Sequence, residues 1–464
     1  MDDQQPLERS FGEVHFGSAE LGDVRRTRRL VQVADQMVKH PGGTLPEKFS
    51  DPASLKGLYR LAARDEVTHE AVLAPSRQRT LRLAAETAGT VLHIHDGTEC
   101  DYSGLHSLKD LGQIGNGNGR GYLVHNTLAV VAETREVLGL VYQKLIKRPK
   151  APKRETRQQC RERPDRESRM WKDASKTIPL APPGRRWVEV ADRGADLLEF
   201  IDYHESAGKS YLVRSKHNRC ITLENKGETK LHDYVRALPA TDTKTVEVPA
   251  TSKHSVRTAT VGIAWAEVTL LIPRQPRGEV RGMPLKAWVI CVQEIKPPEG
   301  VQPVEWILLT NVAVHHVEDA RERIYWYECR WIIEEYHKAM KTGASIEDLQ
   351  FTKEERLQPV IALLSVIALF LLNLRNASRR ADAQQRPASE LLPVEFVTVL
   401  ALWRYKKLQT DLTVHEFYYA LARLGGHQNR RHDHPPGWLV LWRGWTKLQA
   451  MVDITTAFER QRCG

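Results

Sequence analysis

Apolar positions keep a helical period near both ends of this chain and an alternating one between them. In residues 24–39, VRRTRRLVQVADQMVK, Leu30, Val33, Ala34 and Met37 fall on one face of a helix. Arg25, Arg29, Gln32, Gln36 and Lys39 fall on another, with Asp23 as N-cap. A second helix around residues 52–63 would give the first 70 residues their own small core. From Gly89 the period changes to two. Residues 90–95 read as a strand on which Leu92, Ile94 and Asp96 share parity, so Asp96 is expected just past the end of an apolar face. Residues 122–133 and 136–146 read as two strands around a turn at Thr134 and Arg135. Residues 187–191 form the next strand, with Val188, Val190 and Asp192 on one parity, and ADRGADLLEF leads on into a helix. Residues 210–213 are a further strand ending at Arg214.

Val, Thr and Ile runs broken by Pro and Gly fill residues 219–311, which predicts an all-β block inserted into an α/β pattern. A helix over 321–342 follows. Its residues Tyr327, Arg330, Glu334 and Lys341 lie at roughly 0°, 300°, 340° and 320° around the axis. A phenol, a guanidinium, a carboxylate and an ammonium then share one stripe. Such a stripe is either a solvated salt-bridge face or a site for a cation and phosphate oxygens. The longest apolar run, residues 360–372, reads as part of a buried helix over 357–375, too short to span a bilayer. The last part is helical from about Leu391. Its final helix repeats Trp438, Trp442, Trp445 and Leu448 in an apolar stripe that could pack internally or against a second subunit.

Composition narrows the partner. Of 464 residues 41% are hydrophobic, enough for more than one domain, and the formal charge of +10 suits a polyanion. The polar N-terminal stretch predicts no secretory leader. Six scattered cysteines with no C-x-x-C pair imply neither a disulfide framework nor a zinc site, and a reducing cytoplasm is expected. The basic segment 147–167 reads as a linker or a phosphate-tracking loop. His432, Asp433 and His434 read as a loop rather than a metal site. His93 and His95 lie on the strand face opposite Asp96 and read as packing or surface residues.

Two aspartates similarly placed at the ends of apolar-faced strands suggest convergence on a cation. With Glu334 they make three hard oxygen donors that favour Mg²⁺ or Mn²⁺ over zinc. The combination resembles the DDE transposases of the insertion-sequence IS-four group. Their D-R-E-A-D motif appears as Asp192-Arg193-Gly194-Ala195-Asp196, and their Y-x2-R-x3-E-x6-K signature as Tyr327, Arg330, Glu334 and Lys341. The likeness also covers residues 18–39, VRSKH at 213–217, WILLT at 306–310 and ARLGG at 422–426. Gly194 departs from the motif's glutamate, and Ile332 stands where a basic residue follows R-W in a member of the group.

The resemblance implies a multidomain α/β chain. Residues 1–70 would be a helical domain binding transposon ends, and 71–375 a ribonuclease-H-like catalytic domain with its β-rich insertion at 219–311. Residues 376–464 would be a helical dimerisation region. Asp96, Asp192 and Glu334 would hold the metal, with two Mg²⁺ ions per site and Mn²⁺ able to substitute. Tyr327, Arg330 and Lys341 would contact the DNA backbone, together with Arg193, Arg214, Lys216 and Arg219. Arg25, Arg26, Arg29 and Lys39 would belong to end recognition. Trp306 would stack on a flipped base, or else be a core residue of its strand. The implied reaction is hydrolysis at the transposon end, hairpin formation and opening, and strand transfer into target double-stranded DNA. A homodimer in the bacterial cytoplasm, associated with the nucleoid and not with a membrane, would perform it. A catalytically silent or domesticated DNA-binding regulator and a stand-alone metal-dependent nuclease are the rival readings.

Overall fold

The computed structural model describes residues 9–49, 51–148, 154–156, 159, 163, 165–223, 227–248, 256–276, 278–380, 382–430, 433 and 435–463. Much of the basic segment 147–167, and His432 and His434, lie outside the described residues.

Four helices precede the sheet: Phe11–Phe16, Val24–Lys39, Pro52–Ala62 and His69–Glu86. Asp23 caps the second, accepting from the Arg25 N–H, and Leu30, Val33, Ala34 and Met37 are buried as their spacing predicts.

The strands are β1 (Thr90–Asp101), β2 (Gly112–Gln113), β3 (Arg120–Val131), β4 (Val137–Ile146), β5 (Arg186–Ala191), β6 (Ser210–Arg214), β7 (Cys220–Leu223), β8 (Gly227–Lys230), β9 (Asp242–Val248), β10 (Arg257–Leu270), β11 (Leu285–Glu294) and β12 (Glu305–Thr310). β4, β3 and β1 run antiparallel; β5 joins β1 in parallel, and β6 joins β5 in parallel. The Thr134–Arg135 turn is as predicted, with Arg135 at positive φ.

The predicted β block differs in two ways. It contains a short helix, Leu231–Arg236, and it does not stand apart, because β12 pairs with β6 and carries β11, β10, β7 and β8 on in the same sheet. Twelve strands thus form one hydrogen-bonded surface among the described residues.

One face of the central strands, with Leu92, Ile94, Val190, Leu212 and Leu308, packs against the helix Glu354–Ala377 and the N-terminal helices. The other face, with Ala191 and Val213, packs against Trp171, Phe200 and Ile201. The Glu354–Ala377 helix is long and apolar enough to cross a membrane, but 78% of its most apolar stretch is buried inside the protein. It is the core helix expected.

The terminal helix Trp438–Cys463 turns its tryptophan stripe inward. Trp445 stacks on Phe396 and donates to the Lys39 carbonyl at 3.0 Å, and Trp438 donates to Glu335 at 2.8 Å. The stripe is therefore used within the chain. This helix crosses Val414–Leu424 so closely that a Cβ on Gly444 would run into the Leu421 carbonyl, and one on Gly425 into that of Val440. Gly444→Ala is expected to destabilise the protein by about 1–3 kcal/mol through forced separation of the two helices, read as a lower urea midpoint.

Candidate phosphoryl-transfer site

Register brings the two aspartates together. β1 pairs with β5 up to Ile94 opposite Val190, so Asp96 and Asp192, each two residues further on, come side by side on one face just past the end of that pairing. β1 does not end at His95 as predicted. It runs on to Asp101 because β3 continues to pair with it, so Asp96 is mid-strand, at the point where β5 leaves. Asp192 caps a 3₁₀ turn, Arg193–Ala195, accepting from the Gly194 N–H at 2.7 Å. The helix begins only at Leu198. A Cβ on Gly194 would sit 2.7 Å from the Trp171 ring, so a larger side chain there requires that ring to shift.

The helix predicted over 321–342 is three pieces. Val317–Glu328 ends in a turn at Cys329 and Arg330, Trp331–Lys338 follows, and Ala339–Gly343 is a π-turn. Tyr327, Arg330 and Glu334 stay together across the turn as the stripe predicts, and Lys341 is carried away from them. Arg330 lies in the turn and reaches back, Nη1 donating to Asp96 Oδ2 at 2.7 Å and lying 3.4 Å from Glu334 Oε1. Tyr327 is buried edge-on against Trp306, ring centroids 5.5 Å apart. Lys341 is displaced by the π-turn and pairs with Glu347 at 3.6 Å, near the far end of β1.

Electrostatics tie the first group into a unit. Burial, with Asp192 and Glu334 adding to it, pushes the Asp96 carboxyl up to about 7 against the pull of Arg330. Burial opposes the Arg330 charge, and Asp96, Tyr327, Glu334 and Asp192 more than offset it. Three carboxylates around one guanidinium leave an excess of negative charge, and hard oxygen donors of this kind fit a divalent cation. Among the described residues no three His, Cys, Asp or Glu side chains converge on one point as they stand, since Arg330 lies between Asp96 and Glu334.

The other candidates divide. Arg193 and Lys216 are exposed. Arg214 donates to the Glu305 carbonyl at 2.7 Å and lies beside Tyr327. Arg219 is held by Asp196, Nη1 to Oδ1 at 2.5 Å, and so braces the loop after β5. Asp196, fully buried, also accepts the N–H groups of Lys216 and His217. Trp306 is half-buried and shares parity with Leu308 on the Asp96 side of the sheet. On the N-terminal helix Arg29 and Lys39 are exposed, Arg25 is exposed but its guanidinium pairs with Asp23 at 2.8 Å, and Arg26 is taken by the Leu21 carbonyl and Glu66, each at 2.8 Å.

Two features have no counterpart in the sequence reading. Trp331, 61% exposed, offers an aromatic face beside Arg330. Beneath Asp192, Glu189 is fully enclosed by Lys209 at 3.0 Å, His95 at 3.0 Å and His204 at 3.2 Å, with Ser175 also donating to it. His93 and His95 are buried, His93 against Trp187.

Residues 8–67 match the family described as transposase DNA-binding. The match spans the first three helices and stops just short of His69–Glu86. It supports a transposase that binds DNA. Arg29→Ala and Lys39→Ala are each expected to weaken DNA binding and lower the slope of log affinity against log salt by about 0.9. Arg26→Ala should instead lower thermal stability, because that guanidinium is spent inside the domain. Filter binding at several salt concentrations, with a melting curve for each variant, separates the two outcomes.

Proposed function

We propose that this chain is a divalent-metal-dependent cut-and-paste DNA transposase of the IS-four group, similar in particular to the transposase of transposon Tn-five. The observation that carries the reading is the pairing of a transposase DNA-binding match with Asp96, Asp192 and Glu334 around Arg330. The strand order β4-β3-β1-β5-β6, three antiparallel and then two parallel, supports a ribonuclease-H-like core. The proposal extends to a homodimer holding two transposon ends, to target DNA as second substrate, and to the bacterial cytoplasm and nucleoid as the setting.

Asp96, Asp192 and Glu334 would hold Mg²⁺, or Mn²⁺ in its place, with two ions to a site. Such ions supply Lewis-acid stabilisation of charge at phosphorus and activation of the attacking oxygen. The chain's own groups do the rest. Arg330 pulls against the burial that raises the Asp96 carboxyl and offers its remaining N–H groups to a phosphate oxygen. Tyr327, wedged between Trp306 and Arg214, fixes the wall along which the scissile strand would lie. Exposed Arg193 and Lys216 continue that wall with positive charge.

A second reading, a DNA-binding regulator that does not cut, is favoured by Arg330 lying between Asp96 and Glu334. The deciding experiment incubates the protein with a plasmid carrying the DNA ends that flank its gene, in Mg²⁺ or Mn²⁺. Excised fragments with hairpin ends are expected. Tight binding of the ends without cutting would establish the regulator, and cutting without hairpins would establish a nuclease.

A further inference from the structure

Behind Asp96 a row of polar side chains crosses three strands on the same face. Asp96 on β1 is directly opposite Asn126 on β3, and Asn126 is directly opposite Gln143 on β4. Asn126 and Gln143 are buried in an otherwise apolar layer. Gln143 Nε2 donates to Asn126 Oδ1 at 2.7 Å and to Ser365 Oγ at 3.0 Å, and Gln143 Oε1 pairs with His69 Nε2 at 3.0 Å. The Asn126 amide, its oxygen thus engaged, turns Nδ2 towards His337 Nε2 at 3.1 Å. That bond places the proton of the neutral imidazole on Nδ1. His337 is buried and lies three residues after Glu334, so the two share a face of the short helix Trp331–Lys338.

This helix needs such an anchor. It is eight residues long, joined to Val317–Glu328 through a tightened turn at Cys329 and Arg330 whose i→i+3 bonds replace the regular ladder, and it runs into a π-turn. Helical hydrogen bonding alone holds so short a piece weakly. Ile333 packs it onto the core, Tyr336 Oη donates to the Ser365 carbonyl at 3.0 Å, and Glu335 accepts from Trp438 and pairs with Arg375 at 2.7 Å. Those bonds run to Glu354–Ala377 and Trp438–Cys463, whereas His337 bonds to the sheet. The bond from His337 to Asn126 is directional, and Asn126 is the cross-strand neighbour of Asp96. Side chains at an ion site act through such outer partners, whose loss typically costs about 10- to 100-fold in metal affinity.

We propose that Asn126 and His337 are positioning residues that set the rotation of the Glu334 helix against β1, so that Glu334 faces Asp96 and Asp192. Gln143 completes the row by satisfying the Asn126 amide oxygen, and Ser365 and His69 hold Gln143 in turn. The inference rests on the proposed function only in taking Glu334 as a metal ligand.

The test uses the full-length protein, with Mn²⁺ uptake followed by electron paramagnetic resonance and amide hydrogen exchange followed over 331–338. Asn126→Leu and His337→Leu are expected to raise the Mn²⁺ concentration for half-saturation by about tenfold and to speed exchange in that helix. His337→Gln, whose amide oxygen can still accept from Asn126, is expected to stay within about twofold of the parent. Variants that melt earlier yet bind Mn²⁺ with unchanged affinity would overturn the proposal and leave the row as core packing. A parent protein that takes up no Mn²⁺ would overturn the proposed function instead. Exchange would then decide, and an unchanged rate over 331–338 in Asn126→Leu would sink the positioning role.

Discussion

Glu334→Gln is expected to abolish cutting of end-bearing plasmid in both Mg²⁺ and Mn²⁺, by about a thousandfold or more. The amide is isosteric and keeps an acceptor for Arg330, so the local fold should survive. It removes one of three negative charges that would hold the cation. Metal-derived stabilisation of the transition state is worth several kcal/mol, and about 4 kcal/mol corresponds to a thousandfold at about 1.36 kcal/mol per decade. Affinity for the DNA ends should stay within about twofold, because the exposed cations of Val24–Lys39 are on a different element. Timed gel assays of cleavage, paired with band-shift titrations, measure both. Residual cutting above a tenth of the parent rate would remove Glu334 from the site.

Glu189→Gln is expected to act on the fold rather than the reaction, costing about 3–5 kcal/mol of stability. The carboxylate sits between β1, β5, β6 and two helices, with the Lys209 ammonium as its cationic partner and two imidazoles against it. An amide there leaves that ammonium in the interior with no counter-charge. The effect depends on pH with a definite sign. Burial would raise the Glu189 carboxyl, but His204 and His95 outweigh it and hold it well below its ordinary value of 4.5. A depressed folded value means the stabilisation is fully present above the unfolded value and lost as pH falls towards the folded one. The gap between parent and variant in urea midpoint should be widest near neutral pH and close below about pH 4.5.

The parts read correctly from the chain are those with one clear period. Val24–Lys39 declared its buried face because its apolar residues recur at helical spacing. The shared parity of Asp96 and Asp192 with their apolar neighbours survives in the sheet, since parity does not depend on where a strand ends. Strand length was another matter, because β1 continues to Asp101 only through its pairing with β3. The break at Cys329 and Arg330 left no mark: neither Pro nor Gly stands there, and the gain that compensates it is the bond from Arg330 to Asp96, distant in sequence. Glu189 was invisible for a related reason. In a strand buried on both faces, a polar residue of opposite parity looks like a solvent-facing one, and its partners Lys209 and His204 come from other elements. The pairing of β12 with β6 likewise joins residues about 90 positions apart, beyond any local pattern.

The contact of Trp445 with the Lys39 carbonyl has a consequence for how the chain is made. These residues are 406 positions apart, and an N-terminal segment emerges from the ribosome long before its C-terminal partner. At roughly 5–20 residues per second, the interval is about 20–80 s. Throughout it, Leu30, Val33, Ala34 and Met37 can already cluster among local helices, while the segment around Pro41, Gly42 and Gly43 waits for Trp442 and Trp445. The nascent N-terminal helices are thus expected to be competent to fold before synthesis ends, and the seam they share with the last helix is the latest part of the molecule to close.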